Sequence, residues 1–398
     1  MIWDSTRLTV SLILVCDAWA IYAPSREYAG NTFFDQWAYY GGIDNTTWGG
    51  LTIYKTRASA DATVNLVSGN VTFVDKNTAA QKQLTFVNEA GHAIIRVDNQ
   101  TTITPTDQVR LASPQTFGVG TLILIDALHI PYGCSVWPSF WTFGAQKEWP
   151  QAGEIDIITG INGMPNNQIA LHAPAGCVKA ETPGQQTGVT VEGDCSKPQG
   201  CFVAETKPNS FGEGLANAGG GVSPCNLKRV ASIRGFGVPD IPDNVRNNDA
   251  SFQSIDTSTR GIPSAAYPAS TCNVAQIFKP QNLIISTTFC GVWAGNPDAY
   301  QQLCKTPTNS CVADNIIGPG NNFANAFWEI KYIRTYTNGI GTSASSTSSS
   351  ALQTFSPAAS NTAQDPDPNT APTNAAPPQR RVRHWALPAV GFCLFLMM

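Results

Sequence analysis

Charge, histidine and long apolar runs are all scarce in this sequence, and each shortage removes a class of function. Only 13% of its 398 residues are charged, with Lys plus Arg (24) below Asp plus Glu (28), for a net charge of −4. A polyanion finds no basic footprint here, so no nucleic-acid partner is expected. The four histidines, His92, His129, His172 and His384, show no metal-binding spacing, and no metal ligands are assigned. A Walker loop, a dinucleotide fingerprint, a G-x-S-x-G nucleophile elbow and a C-x-x-C pair are also absent. That removes P-loop, Rossmann-cofactor, serine-elbow and vicinal-dithiol chemistry. Segments with helical spacing are few as well.

What is present reads as an all-β globular chain. Hydrophobic residues make up 42% and aromatics 10%, with 34 glycines and 27 prolines to punctuate short strands. "LTIYKTR", "VTFVDK", "HAIIRVD", "TLILIDALHI", "GEIDIIT", "NLIISTTF" and "FWEIKYIRTY" have strand length, β-branched enrichment or period-two alternation. The expected fold is a β-sandwich of antiparallel sheets over residues 24–337, a single large domain. The Gly/Pro/Cys-rich stretch from Pro174 to Asn282 is expected to form disulfide-stapled surface loops.

Both ends read as addresses. Arg7, the apolar run "LTVSLILV" and Ala18-Trp19-Ala20 have the order of a secretory signal over residues 1–20. At the other end, Trp385 to Met398 is apolar but shorter than the about 20 helical residues that span a bilayer. The small triplet Asn374-Ala375-Ala376 and a polar spacer precede it, the pattern of a glycolipid-anchor signal over 380–398 with attachment at Asn374. The alternative is a tail that is cleaved or buried. Residues 338–379, rich in Ser, Thr, Ala and Pro, are expected to form a disordered stalk. The expected location is therefore the cell surface or wall, with the membrane touched only through a lipid anchor.

Cysteine usage agrees with export. Of 11 cysteines, Cys16 lies in the signal and Cys393 in the tail, which leaves nine, an odd number, for disulfides. Spacing does not reveal the pairing. Asn45, Asn70 and Asn99 each begin an N-x-Thr glycosylation acceptor.

The chemistry concentrates between Cys134 and Thr159, "CSVWPSFWTFGAQKEWPQAGEIDIIT", where tryptophans precede two closely spaced acids. Aromatic faces stack on sugar C–H faces while acids bind hydroxyls, so a carbohydrate is the expected ligand. On a strand, Glu154 and Asp156 point to one face and Ile155 and Ile157 to the other. Two carboxylates on one face raise at least one pKa. The bland alternative is an exposed strand with solvated acids. Trp137, Trp141 and Trp149 are candidate sugar-stacking residues. His172 in "LHA" is a candidate cleft-lining donor, with a satisfied core histidine as the competing reading.

"GCSVWPSFWTFG…WPQAGEIDIITGING" followed by "NQIALHA" resembles the fungal laminarinase-like branch of glycoside hydrolase family 16, the endo-β-1,3(4)-glucanases. "NTFFDQWAYYGGIDNTTWGGLTIY", "NSFGEGLANAGGG", "ISTTFCGVWAG" and "FWEIKYIRTY" extend the resemblance over about residues 30–337. It implies a concanavalin-like β-jelly-roll with a concave face for β-1,3/1,4-glucan and a retaining mechanism. It also implies a monomer with no organic cofactor. A structural calcium occurs in relatives, with no ligands assignable here.

The family's active strand reads E-x-D-x-x-E. The resemblance makes Glu154 the nucleophile and Asp156 its assistant, but Thr159 stands where the general acid/base Glu belongs. The pattern requires a one-residue bulge to aim position 159 at the cleft. A threonine there hydrogen-bonds but does not protonate a glycosidic oxygen. Glu148 sits in an expected loop, and nothing in the sequence aims it, Glu192 or Glu205 at the site. After "AGGG" the family has an aromatic strand pair, whereas this chain reads "VSPCNLKRVASIRGFGVP". The cleft's far wall is expected to suffer, and Cys225 in that stretch is the candidate unpaired cysteine. Two readings remain: a β-glucan hydrolase of impaired activity, and a non-catalytic β-glucan-binding or structural wall protein.

Overall fold

Period-two alternation dominates, and no α-helix among the described residues exceeds the eight of Pro297–Cys304. The computed structural model describes residues 21–40 and 71–338, apart from 100–101, 104–105, 145, 148, 182, 228–235, 238–251, 257–261, 307 and 317. "HAIIRVD", "TLILIDALHI", "GEIDIIT", "NLIISTTF" and "FWEIKYIRTY" become strands Ala93–Arg96, Thr121–His129, Glu154–Thr159, Gln281–Phe289 and Phe327–Thr337. "VTFVDK" is a strand only over Val71–Phe73. Asp75 then caps helix Lys76–Gln81 by accepting the Thr78 N–H at 2.8 Å. "LTIYKTR", the signal, Asn45, Asn70, the stalk beyond residue 338 and Asn374 lie outside the described residues. Asn99 is half-buried.

Two eight-stranded sheets make the sandwich. The first has the antiparallel order Val189–Glu192, Cys201–Ala204, Gln168–His172, Glu154–Thr159, Val136–Phe143, Gln281–Phe289, Arg110–Phe117 and Ala38–Tyr39. The second centres on the eleven-residue strand Phe327–Thr337, flanked by Thr121–His129 and Ile21–Ala29. Their inner faces share one core. Phe140, Ile155, Ile169 and Ile285 come from the first sheet, and Tyr28, Ile123, Ile125, Ile330 and Ile333 from the second. This is the expected jelly-roll class.

The expectation of loops from Pro174 to Asn282 is corrected. That stretch supplies Val189–Glu192 and Cys201–Ala204 to the first sheet and Gly221–Asn226 to the second. Strands of four to six residues broken by Gly and Pro carry too little alternation to read, and their longer neighbours hold them in place. The start of "VSPCNLKRVASIRGFGVP" therefore pairs with Thr121–His129 in the second sheet and is not a wall of the groove described below.

Four disulfides join Cys134 to Cys304, Cys177 to Cys272, Cys195 to Cys201 and Cys290 to Cys311. Cys177–Cys272 and Cys195–Cys201 do staple the corrected stretch. Among the described residues Cys225 is the free cysteine, buried in the main core, where desolvation pushes its thiol pKa well up.

Candidate active site

The first sheet leaves one face to a cleft of about 480 Å³. On strand Val136–Phe143, Trp137, Ser139 and Trp141 line it by strict alternation, while Val136 and Phe140 are buried beneath. On the neighbouring strand, Glu154 and Asp156 line the cleft and Ile155 and Ile157 enter the core. The two acids thus share a face, as alternation predicts.

The bulge is present. Phe140 pairs with Ile158 and Trp141 with Asp156, so Ile157 is an extra residue. The other side of the strand skips as well, from Asp156 opposite Ala170 to Thr159 opposite Gln168. Thr159 thereby joins Glu154 and Asp156 on the cleft wall, while Ile157 and Ile158 are both buried in the core. Asn167 fills the gap in the ladder, accepting the Thr159 N–H at 3.0 Å and donating to the Ile157 carbonyl at 2.9 Å. Each of these backbone groups, buried without a partner, would cost about 1–3 kcal/mol.

Crowding sets the electrostatics. Burial and then the charge of Asp156 push the Glu154 pKa from 4.5 up to about 8, against the opposing pull of His172, the Trp149 N–H and Arg110. Trp149 Nε1 donates to Glu154 Oε2 at 2.8 Å. His172 Nε2 lies 3.4 Å from Asp156 Oδ2 and 3.8 Å from Glu154 Oε1. Burial alone would lower the His172 pKa, but its hydrogen bond to Asp156 and the charges of both acids raise it on balance. Glu154 and His172 are thus both pushed toward their protonated forms.

Thr159 has no such capacity. Its Oγ1 accepts the Trp137 indole N–H at 3.1 Å and sits 3.0 Å from Ser139 Oγ. Glu192 lies on a strand, not in a loop, and lines the cleft. Its pKa is lowered by the Asp194 backbone N–H and by Lys197, whose Nζ is 2.7 Å away, so it stays a carboxylate. Glu205 is buried outside the cleft lining, with Oε1 accepting the N–H groups of Thr206 and Lys207. Glu148 lies outside the described residues.

The structure brings Trp137, Trp141, His172, Glu154, Asp156 and Thr159 to one cleft. Trp149 meets it through its hydrogen bond to Glu154 and a ring contact of 5.4 Å with His172. The sequence reading missed Ser139, Asn167, Phe202, Ser286 and Trp293. Trp293 meets Trp137 edge-on at 5.4 Å, and Ser286 Oγ accepts the Trp141 N–H at 3.1 Å. Alternation from Trp141 would have found Ser139. Nothing local marks Asn167.

Among the described residues, one His/Cys/Asp/Glu group has donor atoms converging within 4.8 Å, and it is Glu154, Asp156 and His172. A calcium site takes six to eight oxygens, so three donors including an imidazole nitrogen do not fit a structural calcium.

A family model described as the XgeA-like, catalytic GH16 domain matches residues 59–336. The chain belongs to glycoside hydrolase family 16. A probable glycosidase of Schizosaccharomyces pombe is 30% identical over 323 residues, covering 79% of this chain and 69% of that protein. A probable endo-1,3(4)-β-glucanase of Aspergillus fumigatus is 32% identical over 344 residues, covering 83% of this chain. This chain spans only 48% of that relative's length. A family 16 laminarinase of Phanerochaete chrysosporium, solved with β-glucans in donor and acceptor sites, is 28% identical with a TM-score of 0.69, covering 80% of this chain and all of that one. An elongating family 16 β-1,3-glucosyltransferase is 30% identical with a TM-score of 0.67, covering 79% of this chain and all of that one.

Proposed function

We propose that this family 16 chain is a β-glucan-acting glycoside hydrolase of the endo-β-1,3(4)-glucanase type, with turnover held back at Thr159. The observation that carries the reading is the convergence of Glu154, Asp156 and Thr159 on one tryptophan-lined wall, joined by a bulge that aims position 159 inward. The indole faces suit the sugar rings. In this reading ionised Glu154 attacks the anomeric carbon, and Asp156 with His172 governs where its proton resides.

Retaining hydrolysis also needs a second carboxyl about 5–5.5 Å from the first, to protonate the leaving oxygen. Thr159 supplies only a hydroxyl, already engaged with Trp137 and Ser139. Loss of a positioned general acid costs about 10²–10⁴ in rate. A second reading follows from the same hydroxyl: a non-catalytic β-glucan-binding wall protein that keeps the aromatic groove. We further propose an exported monomer, glycosylated at Asn45, Asn70 and Asn99, held at the cell surface by an anchor at Asn374 and working without an organic cofactor.

The test compares the parent and Thr159→Glu on laminarin, lichenin and an aryl β-glucoside with a good leaving group. Laminarin hydrolysis is expected to rise by about 10²–10⁴ in Thr159→Glu. The aryl glycoside, which needs little acid assistance, should gain far less. Laminarin binding without reducing ends from either protein would select the second reading.

A further inference from the structure

We infer that Asn167 is the positioning residue of the cleft, whose carboxamide clips the bulge in the acid strand and aims residue 159 at the groove. Asn167 immediately precedes strand Gln168–His172 and is buried. Its Oδ1 accepts the N–H of Thr159 at 3.0 Å, and its Nδ2 donates to the carbonyl of Ile157 at 2.9 Å. These groups flank Ile158, at the place where Ile157 and Ile158 face the single residue Ile169 on the next strand. Buried backbone groups on a strand normally find partners across the ladder. Here one side chain supplies both partners.

The carboxamide has a single workable orientation, because a flip would set N–H against N–H and oxygen against oxygen. The residue is itself braced. Its own N–H donates to Ser210 Oγ at 3.0 Å, and its carbonyl accepts the Glu205 N–H at 3.0 Å. The 205–210 segment thus holds Asn167, Asn167 holds the bulge, and the bulge delivers the Thr159 hydroxyl to Trp137 and Ser139. No shorter or longer side chain does this. Alanine supplies neither bond, glutamine is one methylene too long, and aspartate accepts from Thr159 but sets an oxygen against the Ile157 carbonyl.

Trp137 is the natural reporter. Its indole N–H rests on Thr159, whereas those of Trp141 and Trp149 rest on Ser286 and Glu154. In nitrogen-labelled protein, Asn167→Asp is expected to shift the Trp137 indole signal, and Asn167→Ala, which also removes the acceptor, to speed Thr159 amide exchange by about tenfold. The Trp141 and Trp149 signals should stay in place. Movement of all three, or of none, would overturn the inference. If Asn167→Asp does not fold, Ser210→Ala removes the brace instead and is expected to give the same selective shift, reduced in size.

A second arm rests on the proposed role of position 159. In the Thr159→Glu background, Asn167→Asp is expected to lower kcat on laminarin by about 10²-fold, with KM little changed. An unchanged kcat would count against Asn167. If Thr159→Glu is itself inactive, the functional reading fails alone and the indole signals still decide the role of Asn167.

Discussion

Strands Thr121–His129 and Glu154–Thr159 are similar in apolar content and opposite in role. Both send alternate residues into the shared core, Ile123, Ile125 and Ala127 from the first, Ile155 and Ile157 from the second. They part on the other face. Leu122 and Leu124 join Tyr22, Val222, Ile255, Tyr332 and Tyr336 in a separate apolar cluster that covers the second sheet from outside. Asp126 on that strand has Lys331 Nζ at 4.0 Å. Glu154 and Asp156 instead face an uncovered groove, with an imidazole and an indole N–H as their near partners. A covered face stabilises the sheet; the groove face lets the acids meet a ligand, while burial at its floor and the charge of Asp156 keep the Glu154 pKa raised.

Substitutions on each strand can break this contrast. Beyond the Thr159→Glu gain, the largest expected effect is Leu124→Ala, which empties part of the outer cluster and should cost about 2–5 kcal/mol in denaturant unfolding. Laminarin affinity should not change. A parallel loss of affinity would mean the two faces are not independent.

A smaller effect is expected for Glu154→Gln, and it depends on pH. The folded-state pKa of Glu154, about 8, lies above its ordinary 4.5, so the proton it holds favours the fold at acid pH. That contribution is lost as pH rises from about 4.5 through 8. The variant does not lose it, so its Tm relative to the parent should be higher at pH 8 than at pH 5. A constant difference across that range would argue that Glu154 is ionised throughout.

The smallest effect belongs to Cys225→Ala in the core beneath both strands, at about 1 kcal/mol. The raised thiol pKa and full burial also mean that a thiol reagent should label Cys225 only on unfolding. Rapid labelling of Cys225 in the native protein would contradict that placement.

Much of the site was legible because it is local. Two acids separated by one isoleucine must share a strand face, and the family spacing demanded a bulge before position 159. Nine cysteines, an odd number, between the two end segments leave one unpaired, and the sequence points to Cys225. Ser139 apart, the missed parts are non-local. Asn167 differs from other loop asparagines only because the ladder opens beside it. Ser286 reaches Trp141 across 145 positions. The short strands between Pro174 and Asn282 read as loops in the sequence because their alternation is too brief to register.

By itself, then, the sequence determined the period-two alternation that puts Glu154 and Asp156 on one side, the all-β class and the absence of a carboxyl at 159, since each follows from residue identity and backbone geometry. Only the tertiary structure decided which cysteines pair, which sheet face stays open, and which distant amide satisfies the bulge. Those outcomes depend on groups brought together from far along the chain, where spacing carries no information.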